Sequence, residues 1–285
     1  MVRSSVRTLL VDYKLPQITA MFWLLKIAAT TLGETGGDLL AQTLGLGYAQ
    51  ASLLFLALFV VSLATQLRAN RFHPALYWTV IAATSTAGTT MSDLINRGPG
   101  SGTSTDGGLG YGGGAIVLIA GLTLVFTVWK VSRQTFDVEN ITTFRGEVLY
   151  WAAILLSNTL GTSLGDYLSD SSGLGYWGSG ALIAAGMAAI LAAHYLTPVS
   201  GVLLFWMAFV LTRPLGATMG DFLSKPRASG GLGFGTYGTS AVLLAILIGG
   251  IGFAYRARRT ATTVRASDAA LVSSSDTTKG APGTG

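Results

Sequence analysis

Cysteine is absent from this chain, which excludes disulfides, thiolate metal sites, haem–thiolate chemistry and a cysteine nucleophile. Charge is scarce: 11% of residues are Asp, Glu, Lys or Arg, against about 25% in an ordinary soluble domain. Histidine occurs only at His73 and His194, and no His-Glu-x-x-His motif is present. The 38 glycines follow no three-residue period, so a collagen-like chain is excluded. The first fifteen residues are too polar for a signal core, and no small-residue cleavage pattern follows the first apolar stretch, so no cleavable signal peptide is expected. What fills the chain is apolar: half of its 285 residues are hydrophobic and the mean hydropathy is +0.55.

The apolar residues come in blocks of membrane-spanning length, about 20 residues each. Eight spans are predicted, over 18–43, 48–67, 74–96, 111–130, 147–169, 175–196, 199–223 and 234–255. The expected fold is an all-α integral membrane protein. A cytoplasmic N-terminal segment (1–17) precedes the transmembrane domain (18–255), and a disordered cytoplasmic tail (256–285) follows it, rich in Ser, Thr, Ala and Gly. The stretch from Gly98 to Gly108 reads as a flexible outer loop. With both termini cytoplasmic, 13 Lys and Arg residues lie inside, and only Arg97, Lys225 and Arg227 lie outside. Lys26 and Arg213 remain within spans. The expected location is the inner (plasma) membrane of a bacterium. The basic flanks suit anionic lipid and not nucleic acid, and oligomerisation is compatible with the pattern.

An internal repeat organises the chain. Four copies centre on Asp38, Asp93, Asp166 and Asp221, and a pair recurs at a fixed offset (166 − 38 = 128 and 221 − 93 = 128). Fifteen residues before each Asp stands Trp23, Trp78, Trp151 or Trp206. Five before stands Gly33, Gly88, Gly161 or Gly216. Three before is a hydroxyl (Thr35, Thr90, Ser163, Thr218), and one before is small (Gly37, Ser92, Gly165, Gly220). After each Asp comes Gly-Leu-Gly-aromatic, ending at Tyr48, Tyr111, Tyr176 and Phe234. These segments read as glycine-rich connectors between packed helices; the alternative is a carbonyl-lined ion filter.

On these residues the chain resembles a bacterial integral-membrane family of four tandem two-helix repeats, each with a characteristic tryptophan, known as a repeat of unknown function. The likeness covers roughly 18–255 and all four Trp and Gly-x-x-x-small-Asp motifs. It implies the fold and brings no reaction with it.

Each repeat (about 18–67, 74–130, 147–196 and 199–255) holds two spans, so all four enter the membrane in the same direction. That predicts parallel repeats in a pseudo-fourfold or two-plus-two arrangement about the membrane normal, with the Asp residues at one depth. Fifteen helical residues cover about 22 Å, which puts each Trp near the cytoplasmic interface as an anchor and each Asp in the outer half. The small-xxx-small pairs built on Gly33, Gly37, Gly88, Gly161, Gly165, Gly216 and Gly220 read as helix-packing elements.

Glu34 and the four Asp are costly in lipid, on the order of 2.5–3.5 kcal/mol each at a helix centre. Helical stripes join Thr31, Glu34 and Asp38, then Thr86, Thr89 and Asp93, then Thr159, Thr162 and Asp166. A salt-bridge role is the bland reading, with Lys26 and Arg213 as charge partners, yet two cations cannot neutralise five carboxylates. The excess negative charge predicts a site for protons or for a hard, oxygen-liganded cation such as Mn²⁺. The expected ligands are Glu34, Asp38, Asp93, Asp166 and Asp221, with Thr31, Thr35, Thr90 and Ser163. The function expected is cation transport, not enzymatic, with no cofactor. The alternatives are a passive cation channel, an intramembrane enzyme using paired carboxylates, and a structural membrane protein.

Overall fold

The computed structural model describes Pro16 and residues 18–69, 72–100 and 107–256. Most of the expected N-terminal segment, the tail beyond Arg256 and the middle of the 98–108 loop therefore lie outside the described residues. Eight long helices are described: α1 (Ala20–Asp38), α2 (Tyr48–Arg68), α3 (Pro74–Arg97), α4 (Gly110–Val131), α5 (Phe144–Asp166), α6 (Gly175–Leu196), α7 (Gly201–Ser224) and α8 (Gly235–Arg256). Each agrees with a predicted span to within a few residues. Local chemistry sets several ends. Thr19 caps α1 by accepting from Phe22 N–H at 3.3 Å, and Thr143 caps α5 by accepting from Gly146 N–H at 3.0 Å. Helix α7 runs unbroken through Pro214.

Six helices (α2, α4, α5 with its terminal turn, α6, α7 and α8) are long and apolar enough to cross a membrane. Helices α1 and α3 are not in that set, because they carry the charges and hydroxyls of the first two motifs. Burial separates two classes. Of the apolar windows of α4, α6 and α8 only 17% is buried, whereas α5 reaches 61% and α7 56%. Side chains such as Leu53, Ile116, Leu182 and Val242 face outward, as lipid contact requires.

The motif helices α1, α3, α5 and α7 make the inner layer. Helix α1 packs on α3 and α7, and α5 packs on α3 and α7, so the four close a ring. The glycines explain how. A Cβ on Gly33 would strike Ser85; one on Gly88, Asn158; one on Gly161, Arg213; one on Gly216, Thr30. In every case the residue met lies three positions before the motif glycine of the following repeat, the fourth returning to the first. One turn later Gly37 meets Thr89, Gly165 meets Ala217 and Gly220 meets Glu34, all under 3.0 Å. Contacts that advance together along both helices mean parallel neighbours in register.

The second helix of each repeat leans outward onto the next repeat. Helix α2 packs on α3, α4 on α5 and α6 on α7. Helix α8 returns to α1, where Gly250 abuts Leu25 and Ser240 Oγ donates to Thr35 Oγ1 at 2.9 Å. The Gly-Leu-Gly segments are the turns that make this possible. Their second glycines (Gly47, Gly110, Gly175 and Gly233) all have φ between 65° and 77°, a backbone open chiefly to glycine.

The motif tryptophans lie inside this bundle. Trp78, Trp151 and Trp206 are buried, and Trp23 is half-buried against Phe22 and Phe205. Ring contacts run from Trp78 to Tyr77 to Trp151, then through Tyr150 to Trp206 and Trp129. The hydroxyls of Tyr77 and Tyr150 share a 2.7 Å hydrogen bond. This differs from the expected interfacial anchors for a physical reason. The indoles find the edges and faces of the tyrosines and phenylalanines between them, which is worth more than exposure.

Candidate functional site

At the other end of the inner ring from the tryptophans, the acidic residues converge. Each sits in the turn after a motif glycine, where the backbones approach most closely. Glu34, Asp38, Asp93, Asp166 and Asp221 are all buried. They are not alone with Lys26 and Arg213, as the sequence suggested. Arg97 and Lys225, expected in outer loops, reach back among them.

Lys225 follows the last residue of α7. Its Nζ lies 2.6 Å from Asp38 Oδ2, 3.5 Å from Asp221 Oδ1 and 3.3 Å from Gln42 Oε1. Burial works against its charge, but Asp38 and Asp221 outweigh that and hold the ammonium above the ordinary lysine range. Arg97 ends α3. Its Nε lies 3.2 Å from Asp93 Oδ1, and its Nη2 lies 3.4 Å from Asp166 Oδ2 and 3.2 Å from Asp170 Oδ2. Tyr111 accepts from the same Nη2 at 2.8 Å.

Both bridging cations stand four residues after a motif Asp, and each ties its own Asp to the Asp of the following repeat. In the first and third repeats that position holds Gln42 and Asp170. Gln42 donates to Asp38 Oδ1 at 2.5 Å. Here the helices α1 and α5 widen into single π turns, Leu39–Thr43 and Tyr167–Ser171, directly after Asp38 and Asp166; such turns often mark functional sites. The alternation follows the 128-residue offset read from the sequence. Extending the repeat alignment one turn past each Asp is the signal that exposes Gln42, Arg97, Asp170 and Lys225.

The chain matches the family described as a Repeat of Unknown Function (DUF347) over residues 21–72, 76–135, 149–199 and 204–260. It belongs to that family. Each matched unit holds one motif helix and the outer helix after it, so the four DUF347 units are the four repeats described above. No curated protein and no solved structure matches the chain.

Within the DUF347 core, Arg213 is fully buried and held through both of its terminal nitrogens. Its Nη1 donates to Thr30 O at 3.0 Å, and its Nη2 donates to Glu34 Oε2 at 3.1 Å, Ser85 O at 3.3 Å and Thr89 Oγ1. Thr89 Oγ1 also contacts Glu34 Oε2 at 3.2 Å. Lys26 is different. It is fully buried, its Nζ lies 4.0 Å over the Phe209 ring, and that nitrogen has no hydrogen-bond partner among the described residues. It is not a partner of the carboxylates.

The expected hydroxyl ligands serve the helices. Thr31 Oγ1 donates to Ile27 O at 2.9 Å, and Thr90 Oγ1 to Thr86 O at 3.3 Å. Thr35 joins Ser240, and Ser163 shares a 2.8 Å bond with Ser92 while accepting from Asn96 Nδ2 at 2.7 Å. Hydroxyls that do touch an acidic group are those of Thr89, on Glu34, and Tyr111, which donates to Asp170 Oδ2 at 3.3 Å.

Six carboxylates (Glu34, Asp38, Asp93, Asp166, Asp170 and Asp221) thus meet three cations (Arg97, Arg213 and Lys225). The excess acidity survives the added partners. Its densest point is Glu34, Asp38 and Asp221, where one oxygen from each lies within 4.8 Å of the others, an arrangement that suits a metal ion.

Proposed function

We propose that the protein moves a cation across a membrane through the carboxylate cluster, with Glu34, Asp38 and Asp221 as the binding site. The observation that carries this reading is the convergence of three buried carboxylate oxygens from two helices on one point. Without thiolate or imidazole ligands nearby, the ion is a hard one such as Mn²⁺, or a cation exchanged for protons. All eight helices cross the bilayer in this reading. The four parallel repeats surround the membrane normal as two pairs, and both termini lie in the cytoplasm of the bacterial cell. The carboxylate end then faces outward, and the aromatic belt closes the inner end of the bundle. A transporter fits better than an enzyme, because four near-equivalent acidic turns suit a permeation axis more than an asymmetric reaction centre.

The test is flux into proteoliposomes, with Mn²⁺, Mg²⁺, Ca²⁺, Na⁺ and K⁺ offered in turn and a pH dye inside. One ion should enter, and Asp38→Asn should lower its rate at least tenfold in folded protein. Glu34→Gln should lower it as far but also destabilise the protein, because it leaves the buried Arg213 without its carboxylate. No flux of any ion through folded wild-type protein overturns the reading.

A further inference from the structure

The two cations that bridge the motif helices are not held alike. Arg97 contacts Asp93, Asp166 and Asp170, is clamped by the Tyr111 hydroxyl, and is 8% exposed. Lys225 occupies the matching position in the fourth repeat but is 23% exposed. The aromatic residue matching Tyr111 is Phe234, which is exposed and has no hydroxyl to offer. The Lys225 backbone is anchored, its N–H donating to Asp221 O at 2.8 Å and its carbonyl accepting from Gly233 N–H at 2.9 Å, whereas its side chain is held only through the ammonium, by Asp38, Asp221 and Gln42. A flexible four-carbon stem links the anchored backbone to that ammonium, so the charge can leave its partners without moving the helix end.

The ammonium also stands where a metal would. It touches Asp38 and Asp221, two of the three carboxylates whose oxygens converge with that of Glu34. Asp221 Oδ1 is buried, lies 3.5 Å from Nζ and has no hydrogen-bond partner among the described residues, which leaves it as a spare ligand atom. Charge points the same way. Three carboxylates and the immobile Arg213 sum to −2. A seated lysine leaves −1, and a divalent ion in its place leaves zero.

Resting on the cation-site reading above, we propose that Lys225 is a tethered occupant of that site: a divalent cation binds Glu34, Asp38 and Asp221 by displacing the ammonium into solvent, and the lysine reseats when the ion leaves. The empty site is thereby kept from standing as a bare acidic cluster, and the bound ion is kept from being held too tightly to depart.

The experiment is direct Mn²⁺ binding to detergent-purified full-length protein, read as loss of the free Mn²⁺ electron paramagnetic resonance signal. Wild type, Lys225→Met and Lys225→Gln are compared, with Asp221→Asn as the site control and helical content followed by circular dichroism. Both Lys225 variants should bind Mn²⁺ at least tenfold more tightly than wild type, and Asp221→Asn should weaken binding. If wild type binds Mn²⁺ and neither folded Lys225 variant binds it more tightly, displacement is overturned while the site stands. If no folded form binds Mn²⁺, the site reading falls and this inference falls with it.

Discussion

Arg97 and Lys225 occupy equivalent positions, but the protein around them makes different use of the two charges. Removing one partner from a buried ion pair strands the other charge in a medium that cannot solvate it, typically at about 3–5 kcal/mol. Arg97→Met strands Asp93 and Asp166, both buried. It should lower thermal stability in detergent by that order, measured by unfolding at fixed detergent concentration. Lys225→Met should cost clearly less, because the lysine is partly solvated where it sits. A larger loss at Lys225 than at Arg97 would contradict the division between a fixed staple and an exchangeable charge. Residue types also account for what the sequence concealed. Glu34 and the four Asp were legible because acids in apolar segments have few reasons to be there. Arg97 and Lys225 were not, because a cation at the end of a span reads as a loop residue until the structure shows the side chain turned back inward. The hydroxyls misled for a related reason: Thr31 and Thr90 satisfy themselves on their own helix backbone, Thr35 and Ser163 bond side chains of neighbouring helices, and spacing alone cannot distinguish either from a ligand.

At the scale of the helix, the decisive contacts are made by glycine. A Cβ at Gly88 would come within 2.9 Å of Asn158 Cβ and 3.1 Å of backbone atoms of α5, which cannot move aside as a side chain can. Gly88→Ala should therefore destabilise the protein by about 1–3 kcal/mol, as overpacking does. Gly112, on α4 with nothing near its missing Cβ, is the matched control, and Gly112→Ala should leave thermal unfolding unchanged or slightly higher. Element positions were read closely from the sequence, since eight apolar blocks of spanning length leave little freedom in where helices begin and end. The placement of the tryptophans was not. A Trp fifteen residues from an acid near the opposite interface is equally consistent with an anchor in lipid and with a ring in the core. Only the neighbouring aromatics Tyr77, Tyr150 and Phe205, contributed by three different helices, decide between the two.

For the whole molecule, the consequence of each repeat leaning on the next is that no half is self-contained. Cutting the chain between α4 and α5 separates α3 from α5, α4 from α5, α1 from α7 and α8 from α1. Two fragments, 1–137 and 138–285, should each be unstable in detergent when made alone. Made together, they should co-purify through a tag on one of them. Independent folding of either fragment would mean that the interlocking contacts matter less than the hairpins themselves. The repeat count and the parallel sense of the motif helices were legible from the even number of spans per copy. The order of packing was not, because a two-helix repeat reads as a hairpin and gives no warning that α2 packs on α3 of the next repeat rather than on α1.

The head-to-tail character of these contacts bears on where such a molecule comes from. Each motif helix offers a glycine face to one neighbour and receives another's glycine on a different face, so the surfaces at the two ends of any pair of repeats are mutually complementary. A contact of that kind closes into a ring when the rotation per unit divides a full circle. Two copies of a two-repeat ancestor could therefore have met as a homodimer and formed the same inner ring before any fusion joined them. In a single joined chain the two halves can differ residue by residue, and the bridging position holds an arginine in one and a lysine in the other.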